Sequence, residues 1–196
     1  MARPRAILLD VMGTLVEEPF LAVVPRALGM SLAELREAKH PTAWIEFEKG
    51  LIDEATFRAR FFADGRSYDH EGMVRALVDA YAWIDGVEAV CAELARAGWA
   101  LHLLSNYPVW YRLIERKLHL SRYAAWTFVS CETGVRKPDP EAYLGAARAL
   151  GAATGELVFV DDREANCRAA AGLGLDAIRF VDARRLREEL FRRAIL

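Results

Sequence analysis

The chain has few residues that cross-link or bind soft metals. Its three cysteines, Cys91, Cys131 and Cys167, are odd in number, far apart and without any CxxC pair. That pattern excludes a disulfide framework and a zinc ribbon and points to a reducing compartment. The four histidines, His40, His70, His102 and His119, show neither HExxH nor paired spacing, which removes the usual histidine-based metal motifs. No apolar run approaches the length of a membrane span, and the formal net charge of −2 offers no basic footprint. Neither nucleic acid nor membrane is therefore an expected partner. The arginine-rich end (Arg184, Arg185, Arg187, Arg192, Arg193) is interrupted by Glu188 and Glu189, as on a solvated helix face. The opening Met-Ala-Arg-Pro-Arg leaves no room for a signal peptide before the first apolar run, so a cytoplasmic location is expected. Repeats and low-complexity linkers are also missing.

What remains is an ordinary soluble composition, 54% hydrophobic and 28% charged over 196 residues, enough for one domain or one domain with an insertion. Apolar runs bounded by turn residues predict strands at about Arg5–Asp10, Trp99–Leu104, Trp126–Cys131, Leu157–Val160 and Ala177–Val181. Helices are predicted at Gly86–Ala97, from Pro108 to about Leu118, at Pro140–Leu150 with Asp139 as N-cap, at Glu164–Leu173 and at the end of the chain. This alternation predicts an α/β fold with a doubly wound parallel sheet. Between the first strand and the rest runs a wholly helical stretch. Ser31-Leu-Ala-Glu34 reads as a capping box, Pro41-Thr42 and Gly50 bound a second helix, Asp53 opens a third, and a fourth runs from about Asp69 to Trp83. The expectation is an inserted four-helix cap over residues 17–83, with residues 1–16 and 84–196 forming the core.

Four strands end in polar residues. Ala6-Ile-Leu-Leu-Asp10 runs straight into Val11-Met12-Gly13-Thr14, setting a carboxylate at the carboxyl end of a strand, where open α/β sheets bind ligands. Such a carboxylate is fit to act as nucleophile or metal ligand. Ser105-Asn106 offers a hydroxyl and an amide, neutral donors suited to phosphate oxygens, although Asn106 serves equally as a helix N-cap. Lys137 lies between Arg136 and Pro138 on a loop stiffened by Pro138 and Pro140, where a fixed ammonium can offset the charge of a nucleophile and of an incoming phosphate. Asp161-Asp162 pairs two carboxylates that repel unless a cation or several donors separate them. An all-oxygen donor set indicates a hard metal such as Mg²⁺.

In combination these residues resemble the haloacid dehalogenase (HAD) superfamily. Its four motifs match Asp10-Val11-Met12-Gly13-Thr14, Ser105, Lys137 and Asp161-Asp162, and with the cap they span nearly the whole chain. The resemblance implies a Rossmann-like core, a small helical cap after the first motif, and Asp10 as the nucleophile forming an aspartyl-phosphate. Ser105 and Asn106 would bind the phosphoryl group and Lys137 would steady it. Mg²⁺ would lie between Asp10, the Met12 carbonyl and Asp162, with Asp161 helping through water. A narrower similarity, to plant plastid members that hydrolyse flavin mononucleotide (FMN), is carried by His40-Pro41, the run Trp44 to Asp53, Asn106 to Tyr111 and Arg136 to Pro140. The short cap also resembles those of bacterial sugar-phosphate phosphatases. A small phosphorylated metabolite is the implied partner; oligomeric state leaves no mark in the sequence.

One position departs from the pattern. Phosphatases of the superfamily carry a second Asp two residues after the nucleophile, as general acid and base, and here that residue is Met12. Glu17, Glu18, Glu46 and Glu48 are the candidate replacements. L-2-haloacid dehalogenases also lack that Asp, but they replace the acids of the fourth motif, which this chain keeps. A degenerate domain that binds a phosphorylated ligand without turnover is the third reading. Tyr107, Trp110, Tyr111, Trp44 and Phe47 supply rings for a planar substrate or for packing. His40 and Arg163 either reach the cleft or cap local turns.

Overall fold

The computed structural model describes residues 4–196; the Met1–Arg3 part of the opening lies outside them. After β1 (Ala6–Leu9) come five helices: α1 (Phe20–Ala27), α2 (Leu32–Ala38), α3 (Ala43–Glu48), α4 (Glu54–Arg60) and α5 (His70–Ala80). The chain continues through α6 (Val87–Arg96), β2 (Leu101–Ser105), α7 (Tyr111–Leu118), β3 (Ala125–Val129), α8 (Ser130–Thr133) and α9 (Pro140–Ala149). It ends with β4 (Leu157–Asp161), α10 (Glu164–Gly172), β5 (Asp176–Arg179) and α11 (Ala183–Arg192).

The sheet is wholly parallel, in the order β3-β2-β1-β4-β5, so β1 is central and β2 and β4 flank it. Its central strands β1 and β4 are continuous apolar runs, fully buried because both faces are covered. Ile7, Leu9, Val158 and Val160 face the larger apolar cluster, and Ala6, Leu8, Leu157 and Phe159 face the smaller one. The period-2 alternation of strand side chains thus sorts each run between two cores. α9 and α10 cover the smaller, while α6, α7, α11 and the helices between β1 and α6 share the larger.

The segment between β1 and α6 holds five helices, not the four expected. The extra one, α1, lacked a start signal: Pro19 at its N-cap makes no side-chain cap and Pro25 lies inside it. The other four begin near the expected signals. Ser31 accepts from Glu34 N–H at 3.2 Å while Glu34 accepts from Ser31 N–H at 2.7 Å, a complete capping box. Asp53 and Asp69 each accept one N–H at 2.8 Å to open α4 and α5. α3 is opened by the His40 ring, whose Nδ1 accepts from Ala43 N–H at 3.2 Å.

Several expected boundaries also shift, among them these two. α7 begins at Tyr111, not at Pro108, because Tyr107 N–H is held by Ser130 Oγ at 3.0 Å and Pro108 lies in a turn. The strand expected to reach Cys131 stops at Val129, where α8 begins. Rings join the helical segment to the sheet-bearing part. Trp110 lies 5.3 Å from Phe47 and 5.6 Å from Phe57, which stack on each other at 4.5 Å. Tyr81 and Tyr107 share a buried hydroxyl contact of 2.8 Å.

Candidate active site

The four polar clusters meet at the carboxyl edge of the sheet. Asp10 leaves β1 with its N–H still on the Val160 carbonyl at 2.9 Å, which fixes it beside the end of β4. The chain then turns through Gly13, whose φ of +83° suits a residue without Cβ. A Cβ there would lie 2.8 Å from Asp162 Oδ2, so the glycine also makes room for that carboxylate.

Lys137 is the hub. Only 2% exposed, its ammonium donates to Asp10 Oδ1 and to Asp161 Oδ2, each at 2.7 Å. Burial alone would push its proton off, but the two carboxylates outweigh burial and hold it above the ordinary lysine value. Burial raises Asp10 to about 7, against the pull of Lys137 and with a further push from Asp161. Asp162 is raised as well, by burial first and then by Asp161. This is a cluster with more negative charge than one ammonium balances.

The two aspartates at the end of β4 differ in what they leave free. Asp161 is fully buried and saturated: Oδ1 accepts from Arg163 N–H at 2.8 Å, Oδ2 accepts from Lys137, and Asn166 Nδ2 lies 3.0 Å from both oxygens. Asp162 Oδ1 is buried with no hydrogen-bond partner among the described residues. Oxygens of Asp10, Asp161 and Asp162 lie within 4.8 Å of one another. A hard cation fits this set, since an orphaned buried carboxylate oxygen is costly until something positive meets it. Asp10 and Asp162 have free lone pairs for it. Asp161, its donors already in place, is fit to assist only indirectly. Ser105 Oγ, also buried, likewise lacks a partner, as a hydroxyl awaiting an anion would.

Asn106 differs from its expected use. Its Oδ1 accepts from Lys137 N–H and its Nδ2 donates to the Lys137 carbonyl, both at 2.8 Å. The side chain is therefore a clamp on the lysine backbone, and only one amide hydrogen is left for a ligand. It is not a helix N-cap either, since α7 starts later. The expected stiffening of Lys137 comes from this clamp; the Lys137–Pro138 peptide beside it is cis.

Two contributors were not singled out from sequence. Thr14 Oγ1 donates to Asp10 Oδ2 at 3.2 Å and accepts from Asp162 N–H at 3.0 Å, tying the β1 loop to the β4 loop. Its place inside the first motif was the available signal. Asn166, one turn into α10, signalled itself only as a polar residue in a small-residue helix.

Above these groups opens a cleft of about 540 Å³, walled by Asp10, Met12, Asp162 and Lys137 below and by Phe20 and Trp44 of the helical segment above. Phe20 and Trp44 lie 4.7 Å apart. Arg136 and Glu48 face each other across the seam at 3.0 Å. Ser130 Oγ donates to the Glu48 carbonyl, so α3 is fastened to α8 at the same place. Tyr107 touches the cleft, but Trp110 is enclosed by rings and Tyr111 bonds Glu132 at 3.2 Å. Trp110 and Tyr111 are thus packing residues, and His40 is a cap.

A buried carboxylate at the end of β1, a buried lysine bonded to it and a paired acid set at β4 mark a hydrolase of the HAD type. A family model for haloacid dehalogenase-like hydrolases matches residues 4–174, and the chain belongs to that family. It is 44% identical over 184 residues to flavin mononucleotide hydrolase 1 of Arabidopsis thaliana, a chloroplast protein, covering 94% of this chain and 75% of that one. Phosphoglycolate phosphatase of Xanthomonas campestris is 29% identical, with 91% of this chain and 83% of that one aligned. Among solved structures, a HAD-family enzyme of Bacteroides thetaiotaomicron in complex with magnesium and inorganic phosphate superposes with a TM-score of 0.73 at 22% identity, covering 91% and 95% of the two chains. The resemblance read in the motifs is borne out.

Proposed function

We propose that the protein is a Mg²⁺-dependent phosphatase of small phosphomonoesters, with FMN as its leading substrate. The observation that carries this reading is the pair of orphaned buried atoms, Ser105 Oγ and Asp162 Oδ1, on either side of Asp10. One asks for an anion and the other for a cation. The 44% identity to an FMN hydrolase supports the substrate, and the Phe20–Trp44 wall gives a planar ring system somewhere to lie. We divide the chain into a core of residues 1–16 and 84–196 and a cap of residues 17–83 that roofs the cleft. We assign it to the cytoplasm, which suits its three free cysteines; no helix is long and apolar enough to cross a membrane.

In this reading an Asp10 oxygen attacks phosphorus, the ester P–O bond breaks, and water later releases phosphate from the aspartyl-phosphate. Lys137 offsets charge on Asp10 and on the transferring group; Ser105 donates to a phosphoryl oxygen; Asn106 and Thr14 position Lys137 and Asp10. Asp10 and Asp162, with the Met12 carbonyl, would hold Mg²⁺, which supplies further charge stabilisation when bound. Asp161 holds Lys137, Asn166 and the Arg163 amide in register. The retained acid pair favours this chemistry over halide displacement, which Met12 by itself would suit. The test is phosphate release from FMN and from p-nitrophenyl phosphate with Mg²⁺ or with EDTA, beside Asp10→Asn. Mg²⁺-dependent release lost in the variant supports the reading. Metal-independent halide release from 2-haloacids, or ligand binding without turnover, would replace it.

A further inference from the structure

An alkyl phosphate leaves as an alkoxide that needs a proton, and Met12 has none to give. On the phosphatase reading, the missing proton must come from a carrier that lines the cleft. Glu17 is not among the residues lining it. Glu46 is held low by Arg60 and lies outside the cleft wall. Glu48 lines the cleft, but Trp44 Nε1 donates to its Oε1 at 2.7 Å and Arg136 to its Oε2 at 3.1 Å, so both oxygens are committed. Tyr107 gives or takes its hydroxyl proton with Tyr81.

Glu18 is different. The chain after Gly13 turns back on itself, with Gly13 N–H on the Val16 carbonyl at 2.8 Å and a bridge pairing Met12 with Val16. A second bridge, Val16 to Trp83, and Glu17 N–H on the Ala82 carbonyl at 2.9 Å anchor that return. Met12 and Glu18 consequently line the same cleft. Glu18 Oε1 accepts from Phe20 N–H at 3.1 Å, which orients the carboxyl, and no partner occupies Oε2 among the described residues. The residue is exposed toward the cleft, open to substrate and water.

We infer that Glu18 is the general acid and base of this enzyme, doing from the entrance of α1 what the residue at Met12 cannot. In the first step Asp10 forms a bond to phosphorus, the ester P–O bond breaks, and the Glu18 carboxyl proton goes to the departing oxygen. In the second step the Glu18 carboxylate takes a proton from water, whose oxygen bonds to phosphorus. The P–O bond to Asp10 then breaks, returning Asp10 as carboxylate and Glu18 as acid. The charged groups around it are consistent with this cycle. Although accessible from the cleft, Glu18 is crowded by protein on its other sides; this partial desolvation first, and the Asp162 charge, raise its proton affinity, while Phe20 N–H and Arg163 lower it. Tyr81, Tyr107 and Glu48 are further ionisable neighbours, and Lys39 lines the same cleft.

Rapid quench with Mg²⁺-loaded protein separates the two steps. Glu18→Gln is expected to lower kcat for FMN by about 10²–10⁴-fold, the usual worth of a placed acid–base group. With p-nitrophenyl phosphate, whose leaving group needs no proton, the variant should keep a one-equivalent nitrophenolate burst and then stall, with the phosphoryl group trapped on acid-quenched protein. Met12→Asp added to Glu18→Gln should restore FMN turnover, a rescue that a merely structural role would not show. Glu18→Gln with kcat for FMN within about twofold of wild type overturns the inference, as does loss of the nitrophenolate burst. Absence of phosphate release by the wild-type protein from either substrate would instead sink the phosphatase reading itself.

Discussion

Replacing Lys137 by methionine keeps an unbranched side chain only one atom shorter and removes its charge. The ammonium is buried and bonded to both Asp10 and Asp161 at 2.7 Å. Taking one partner from a buried ion pair typically costs about 3–5 kcal/mol, because the other charge is left uncompensated. That is the loss expected at pH 8 in EDTA. The pH dependence follows from Asp10, whose proton affinity rises from 3.8 in the free side chain to about 7 in the fold. A carboxyl raised in this way contributes stability that is complete below the lower value and lost as pH rises through the upper one. At pH 5 Asp10 is therefore already protonated in the wild-type protein and has no ion pair to lose. Only Asp161 then loses its cation, and it keeps Asn166 and the Arg163 amide. The difference between the two proteins should accordingly fall by roughly half at pH 5. Urea unfolding followed by tryptophan fluorescence in EDTA at the two pH values measures both. A loss below about 1 kcal/mol at pH 8, the scale of an exposed pair, or a larger loss at pH 5 than at pH 8, would refute the reasoning.

Asn106→Ala removes both hydrogen bonds to the Lys137 backbone and should destabilise by about 1–3 kcal/mol while lowering kcat more than it raises KM, read from unfolding and steady-state assays. Mg²⁺ at about a hundredfold over its Kd should stabilise the protein by ~2.7 kcal/mol, visible as a raised Tm, and Asp162→Ala should abolish the rise. Trp110→Ala empties the ring cluster that Phe47 and Phe57 complete and should cost about 3–5 kcal/mol in chemical unfolding.

The sheet was legible because β1, β2 and β4 are largely apolar runs with a polar end, and period sorts such runs from amphipathic helices. Helices with a side-chain cap, such as those opened by Ser31, Asp53 and Asp69, were legible for the same local reason. α1 was not, since Pro19 and Pro25 are breaker signals there and tertiary packing of Val24 overrides them. At the site, the four motifs named Asp10, Ser105, Lys137 and Asp162, whose side chains point at what the ligand would be. The contacts not visible in sequence, those of Asn106, Thr14 and Asn166, reach other side chains or backbone across 31, 148 and 5 positions. Contacts of that kind have no local signature. The choice among the four glutamates was hidden similarly, because only the fold shows which of them lines the cleft and which oxygens are already taken.

In the proposed reaction Asp10 forms a covalent bond to phosphorus. The direct test is mass analysis of acid-quenched protein during turnover of p-nitrophenyl phosphate with Mg²⁺, followed by peptide mapping. One added phosphoryl group is expected on the peptide bearing Asp10, absent in EDTA and absent in Asp10→Asn. Steady phosphate release with no such adduct, or undiminished release by Asp10→Asn, would contradict it.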